Sequence, residues 1–330
     1  MIRLLHYGLG PIGCGIARLA CQREGLEPVA AVDIDPNKVG QDLGSVIGLE
    51  RPLGILVSPK VTALKGVVAQ VAIHSTGSNL EEVYPQLEEL IKARLDIIST
   101  CEELAYPRLS HPDLAAKLDR LAKKNEVTVL GTGVNPGFVM DTLPLALSAA
   151  CQVVGKVQVQ RKVDISARRL NLQRKAGAGL TPAQFQEGVK ARKIGHVGLR
   201  ESVALLAAAL GWELEAIQEE IEPVVAEKAL RSEFIEVKPG QAAGLHQVSR
   251  GIKGGKEVIT LDLQMCLGVK EPGDYITIEG TIPLKMALQG VQGDLATAAV
   301  VVNAIPSVVN APPGLLTMAD LPLVHAYLKA

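Results

Sequence analysis

The chain has 330 residues, of which 48% are apolar, so it is long and hydrophobic enough for about two domains with substantial cores and unlike a disordered polymer. Its 34 Lys and Arg nearly balance its 35 Asp and Glu, and it carries no basic run or aromatic ladder, which argues against nucleic acid as a partner. Five scattered cysteines (Cys14, Cys21, Cys101, Cys151, Cys266) contain no Cys-x-x-Cys pair, predicting reduced thiols in the cytoplasm rather than a disulfide framework or a zinc site. No signal peptide is read at the N-terminus. The longest uncharged run, 295–318, is interrupted by Asn303, Pro306, Asn310, Pro312 and Pro313, so a buried helix and loop are expected there, not a membrane span.

In chain order, residues 2–7 read as a short strand that runs directly into Gly8-Leu9-Gly10-Pro11-Ile12-Gly13, and helical apolar spacing follows from about 14 to 22. A strand, Gly-x-Gly-x-x-Gly and a helix in that order form the dinucleotide-binding fingerprint. Gly8 suits the tight turn, Gly10 the close approach of backbone to a pyrophosphate, and Gly13 the packing of helix on strand. Pro11 and Ile12 lie at the helix N-terminus, whose N–H groups and dipole favour phosphate. The next strand, 28–33, ends at Asp33, placed to accept hydrogen bonds from the adenosine ribose and to repel a 2′-phosphate, which favours NAD. Lys38 is close enough in sequence to answer that phosphate, so NADP stays open.

Further strands are expected at 71–75, 96–99 and 128–131, with helices at 15–22, 79–93 and 111–125. This alternation, with Val/Ile-rich strands lacking polar alternation, predicts an α/β fold: an N-terminal Rossmann domain with a doubly wound parallel sheet over residues 1–133. After the strand at 71–75, Ser75, Thr76 and Gly77 stand where a turn passes the nicotinamide half, with a plain helix cap by Ser78 as the alternative. Residues 134–291 change character, with strands expected at 153–165, 226–237, 257–267 and 274–283 and helices at 182–191 and 198–210. They predict an α+β substrate-binding and dimerisation domain with an antiparallel-rich sheet. A helix at 295–305, then a loop and short helix over 311–330, complete the chain.

Three stretches carry chemistry. The strand at 96–99 delivers Cys101, Glu102 and Glu103 to its carboxyl end, where open parallel sheets bind ligands. Adjacent side chains point apart, so one glutamate reaches the substrate while the other contacts the nicotinamide ribose or backbone. A carboxylate beside nicotinamide suits an ammonium or a developing iminium, whereas alcohol oxidation more often uses His or Lys. The site's substrate is therefore expected to be an amine. In Gly131-Thr132-Gly133-Val134-Asn135-Pro136-Gly137, the Asn135 amide can hold nicotinamide or substrate, or Asn-Pro can simply start a turn. In the second domain Arg161 and His196 are candidate clamps for a carboxylated substrate, or else solvated surface groups. His6 and His74 fall within strands and are read as structural. Gly293-Asp294 can cap the helix carrying Ala296, Thr297, Ala298 and Ala299. No His–carboxylate set has metal-ligand spacing, so no metal is expected.

Taken together, the segments 7–13, 31–36, 99–104, 131–138, 195–202, 293–303 and 312–322 resemble the 2,4-diaminopentanoate dehydrogenase family, which includes native amine dehydrogenases. The resemblance spans nearly the whole chain; dihydrodipicolinate reductases are more distantly similar, and their His-His and Lys catalytic segment has no counterpart here. It implies NAD(P)-dependent oxidative deamination of 2,4-diaminopentanoate to 2-amino-4-oxopentanoate and ammonia. It also implies a homodimer, and a final segment, 292–330, that packs back on the first domain and brings Thr297 and Asn303 near substrate and cofactor. Two alternatives accompany it: an amine dehydrogenase for simple amines and ketones without a carboxylate, and a non-catalytic dinucleotide-binding protein.

Overall fold

The computed structural model describes residues 1–63, 66 and 68–327. Two compact units are present, one formed by residues 1–138 with 292–330 and the other by 139–291.

The first unit begins with β1 (Ile2–Tyr7), α1 (Pro11–Ala20), β2 (Leu26–Val32), α2 (Leu43–Val46), β3 (Val57–Ser58), β4 (Val71–His74), α3 (Leu80–Lys92), β5 (Asp96–Ser99), α4 (Pro112–Asn125) and β6 (Thr128–Gly131). The second contains α5 (Thr142–Ser148), β7 (Val154–Asp164), α6 (Leu170–Lys175), α7 (Pro182–Lys190), α8 (Leu199–Ala209), β8 (Ala216–Val225), β9 (Leu230–Arg231), β10 (Glu236–Val237), β11 (Ala242–Lys253), β12 (Lys256–Cys266), β13 (Gly273–Gly280) and β14 (Leu284–Leu288). The chain then returns to the first unit as α9 (Gly293–Val309) and β15 (Gly314–Leu316).

In the first unit the strands form one parallel sheet in the order β15-β6-β5-β4-β1-β2-β3, the doubly wound arrangement with an added edge strand. The two faces have separate cores. Leu80, Leu87, Leu90 and Ile91 of α3, with Leu118 and Ala122 of α4, cover one face. Ile16 and Ala20 of α1, with Ala298, Val301, Ile305 and Val308 of α9, cover the other. Burial on both sides is what the non-alternating strands require. Helix α9 is apolar nearly all round because it packs on both α1 and the sheet strands β4, β5 and β6, and its small residues allow that approach.

In the second unit a six-stranded sheet runs β14-β13-β7-β12-β11-β8 and is antiparallel except at β7–β12. A small β9–β10 hairpin stands apart from it.

Several expected boundaries shift for local reasons. Helix α1 starts at Pro11 rather than Gly15, with Gly10 as its cap and proline in the first turn, where its missing N–H costs nothing. The strand expected at 226–237 is replaced by β8 upstream and the β9–β10 hairpin. β8 is an edge strand, and edges tolerate Pro223 and the exposed Glu219, Glu220 and Glu222 that obscure it in sequence. β11 contains Gly244 and Gly251; a Cβ on Gly244 would run into the Met265 carbonyl of β12, so the residue that weakens the strand pattern is needed for strand contact. The short helix expected near the C-terminus is instead β15 and a 3₁₀ turn at Met318–Asp320, and residues 328–330 of that expectation lie outside the described residues.

Candidate active site

At the glycine-rich turn each glycine has its own reason. Gly8 has φ of +92°, and a Cβ there would lie 2.5 Å from the Ser75 carbonyl oxygen. A Cβ on Gly13 would be driven into the Gly8 carbonyl oxygen, so the turn and the helix close on each other only without side chains. Gly10 is different: nothing lies within 4 Å of where its Cβ would be. No protein neighbour demands glycine at that position, and the open space lies at the helix N-terminus, where Ile12 and Gly13 present N–H groups. A diphosphate fits this cradle by shape and by charge.

Asp33 closes the same turn. Its Oδ2 accepts the Leu9 N–H at 2.6 Å, and its Oδ1 accepts the Asp35 N–H at 2.8 Å. Lys38 Nζ lies 3.5 Å from Asp33 Oδ2 and 3.3 Å from Asp35 Oδ2. Partial burial works against the Lys38 charge, but the two carboxylates outweigh it and raise the lysine's pKa. Each Asp33 oxygen keeps acceptor capacity for a ribose hydroxyl, with a cation beside it.

Beyond β4, the exposed Thr76 sits at the outer end of a network that runs inward to the buried His74 and Ser99. Its hydroxyl lies 2.9 Å from His74 Nε2 and 2.6 Å from Gln86 Oε1, and His74 Nδ1 lies 2.8 Å from Ser99 Oγ. Burial pushes the His74 pKa down to about 4, so the ring is neutral and structural. His6 is likewise lowered to about 4 by burial, and neither of its ring nitrogens has a hydrogen-bond partner among the described residues. Helix α3 is capped by Asn79, whose side chain accepts the Glu82 N–H, so the cap anticipated at Ser78 lies one residue on. Ser75 Oγ, and Thr132 Oγ1 beyond β6, are buried at the carboxyl edge with no partner among the described residues. Thr132 was not anticipated from the sequence, where it is one small residue in a glycine-rich turn.

The two glutamates fall in a 3₁₀ turn, Glu102–Ala105, immediately beyond β5. Their side chains divide as adjacent residues do. Glu103 Oε2 accepts the Leu80 N–H at the start of α3 at 2.7 Å and lies 2.9 Å from His111 Nε2, and Asn79 Nδ2 lies 3.4 Å from Oε1. Glu103 thus contacts backbone at the start of α3. Glu102 is half-buried on the same turn. Cys101 is buried, its thiol donates to the Ser78 carbonyl at 3.2 Å, and burial raises its pKa strongly, so it anchors the turn as a neutral thiol.

From β6, the Asn135-Pro136 peptide is cis, and Asn135 is only 9% exposed. Thr297 of α9 accepts the Val134 N–H at 3.3 Å, which joins α9 to this loop and to the same sheet edge. Asn303 does not share that place. It lies six residues further along α9, about 9 Å by helical rise, with Oδ1 3.5 Å from Arg23 Nη2 beyond the end of α1. Arg23 also meets the Tyr327 carbonyl and ring. This is the amino edge of the sheet, since Gly25 accepts the N–H of Ile2 at the start of β1, so the expected cofactor contact at Asn303 is corrected.

In the second unit, Arg161 is 4% exposed, with Nη1 2.7 Å from Asp274 Oδ1 and Nη2 3.4 Å from the Val291 carbonyl. Burial moves both members of the pair toward their neutral forms, and their mutual attraction opposes it. The guanidinium expected to clamp a substrate carboxylate is engaged inside this unit. His196 lies on the turn before α8, its backbone N–H and carbonyl bonded to the buried Gln247 side chain at 2.8 and 2.9 Å. Among the described residues no cluster of His, Cys, Asp or Glu could hold a metal ion, and no helix is long and apolar enough to cross a membrane.

Against this geometry, residues 138–330 match the model of the 2,4-diaminopentanoate dehydrogenase C-terminal domain. The whole chain is similar to 2,4-diaminopentanoate dehydrogenase of Acetoanaerobium sticklandii, at 32% identity over 98% of this chain and 94% of that one. The chain belongs to the 2,4-diaminopentanoate dehydrogenase family. It is an oxidoreductase of the amine dehydrogenase class. Among solved structures, an amine dehydrogenase from Mycobacterium smegmatis superposes with a TM-score of 0.88 at 28% identity, covering 100% of this chain and 98% of that one. An Agrobacterium radiobacter oxidoreductase, solved with NAD+, L-tartaric acid and magnesium, shares the fold at a TM-score of 0.60 and 13% identity, covering 97% and 92%. The family model covers residues 138–330, and the similarity to the Acetoanaerobium sticklandii enzyme extends over 98% of the chain.

Proposed function

We propose that this family member oxidatively deaminates 2,4-diaminopentanoate at its C4 amine, with a nicotinamide dinucleotide as hydride acceptor and Glu102 as the catalytic carboxylate. The observation that carries the reading is the turn after β5, which brings two adjacent carboxylates to the carboxyl end of the sheet: Glu103 binds the α3 N-terminus and His111, and Glu102 stands half-buried beside it. Gly10, Ile12 and Gly13 offer the pyrophosphate cradle, Asp33 the adenosine ribose contact, and Ser75, Thr76, Gly77, Thr132 and Asn135 the edge for the nicotinamide half. NAD is the preferred form because Asp33 faces the ribose, and Lys38 between Asp33 and Asp35 allows NADP as a weaker ligand.

The bound nicotinamide supplies the hydride acceptor. Glu102 takes the ammonium proton, so that the free amine lone pair assists loss of hydride from C4. Glu102 passes that proton on to water, and the carboxylate so restored faces the iminium charge, which a preorganised anion stabilises. Water adds to the iminium carbon with the same carboxylate as base, and ammonia leaves to give the 2-amino-4-oxo acid.

A second reading, a simple amine without a carboxylate, is favoured by one observation: Arg161 is occupied by Asp274. Incubation with NAD+ or NADP+ and a panel of diamino acids and plain amines, followed by absorbance of the reduced cofactor, tests both. The proposal expects the fastest turnover with 2,4-diaminopentanoate and NAD+, and loss of turnover in Glu102→Gln with dinucleotide affinity retained. Near wild-type turnover in Glu102→Gln would overturn the assignment, and faster turnover of plain amines would give the second reading.

A further inference from the structure

We propose that Glu103 and His111 are positioning residues that fix the turn carrying Glu102, an inference that rests on Glu102 as the carboxylate acting on the amine. The turn touches three elements, and each contact removes one freedom. Below it, a Cβ on Gly131 of β6 would collide with the Leu104 carbonyl group, so the turn rests directly on the sheet. On one side the Cys101 thiol and the Glu103 N–H both donate to the Ser78 carbonyl, at 3.2 and 3.3 Å. These bonds hold the backbone in place, yet a 3₁₀ turn held by its backbone can still roll about its own axis.

The Glu103 side chain stops that roll. It reaches across to the first N–H of α3 at 2.7 Å, a helix N-terminus that favours a carboxylate. His111, the cap residue of α4, closes the other side, with Nε2 2.9 Å from the same Oε2. Both side chains are largely buried, 17% and 15% exposed, so neither bond is diluted by water as a surface pair would be. Glu81 also faces His111 Nδ1 at 3.6 Å, but its carboxylate is 70% exposed and contributes little. The Glu103 carboxylate therefore ties the starts of α3 and α4 to the turn, which fixes the backbone from which Glu102 projects. Misplacement of a reacting group by an ångström costs about 100-fold in rate, so this tie belongs to catalysis rather than to binding.

The test uses the full-length protein with NAD+ and the best amine found, and compares Glu102→Gln, His111→Leu and His111→Gln. His111→Leu removes the N–H donor to Glu103. It is expected to lower kcat about 10-fold or more with KM for the amine, NAD+ affinity by fluorescence titration and Tm nearly unchanged. His111→Gln, which keeps an N–H donor, is expected to recover most of that loss. Wild-type kcat in His111→Leu, with Glu102→Gln inactive, would overturn the positioning role while leaving the Glu102 assignment intact. A parallel loss of Tm and NAD+ affinity in His111→Leu, without rescue by glutamine, would also overturn it, as a structural role. Activity in Glu102→Gln would remove the underlying assignment, whatever the histidine variants do.

Discussion

Two glycines three residues apart separate folding from binding. Gly13 has no room for a methyl group because the Gly8 carbonyl occupies its place, whereas Gly10 faces open space. Gly13→Ala is therefore expected to lower Tm and weaken NAD+ binding together, by pushing α1 off β1. Gly10→Ala is expected to leave Tm within about 1 °C and to weaken NAD+ at least 10-fold, since only the ligand meets the added methyl. Thermal denaturation and fluorescence titration of the two variants measure this, and equal Tm losses would show that Gly10 is structural. The fingerprint glycines were legible in sequence because their spacing encodes the turn. The different reasons for each were not, because they depend on what β4 and the turn itself place opposite each Cβ. The same holds at Glu102 and Glu103: sequence put both at the strand tip, and only the position of the α3 N-terminus and of His111 told them apart.

At the scale of elements, buried bonds replace roles that a sequence suggests for charged residues. Arg161 on β7 and Asp274 on β13 are 5% and 3% exposed and 2.7 Å apart, so they pin two neighbouring strands across the interior of the second unit. Asp274→Asn leaves the arginine without its counter-ion, and loss of one partner of a buried pair costs about 3–5 kcal/mol. Urea denaturation is expected to show that loss in the second unit, with NAD+ binding to the first preserved; an effect below about 1 kcal/mol would mean that Arg161 finds water or another acceptor. The edge strands β8 and β15 and the central, glycine-bearing β11 had no counterpart among the expected elements. β8 hides behind its glutamates and β15 is three residues long, and an edge needs neither an alternating pattern nor great length to hydrogen-bond.

For the whole molecule, the buried histidines set the response to acid. His6 and His74 have folded pKa values of about 4, below the value of 6.5 that an unfolded chain restores. The unfolded state therefore binds more protons between these limits, so stability is intact above pH 6.5 and is lost as pH falls toward 4, by roughly 3 kcal/mol per histidine at the end of the range. His246 acts in the opposite sense. Its hydrogen bond to Asp262 outweighs its partial burial and raises its pKa, so its contribution fades only as pH rises above 6.5. Urea unfolding between pH 6.5 and 5 is expected to show stability falling with a slope approaching two protons. His6→Met is expected to reduce that slope to about one without destabilising the protein at pH 7.5, since it removes a ring with no hydrogen-bond partner among the described residues. An unchanged slope would show that His6 is protonated alike in both states.

The amino-acid sequence by itself determined the parallel sheet, the dinucleotide turn and the delivery of a carboxylate to a strand's carboxyl end, because these depend on local periodicity, on glycine spacing and on residues adjacent in the chain. Only the tertiary structure decided that Glu103 is spent on α3 and His111, that Arg161 is paired with Asp274, and that Asn303 lies at the amino edge while Thr297 lies at the carboxyl edge. Each of those outcomes depends on which partner, 8 to 280 residues away in the chain, folding brings within hydrogen-bond reach, and a linear pattern carries no such distance.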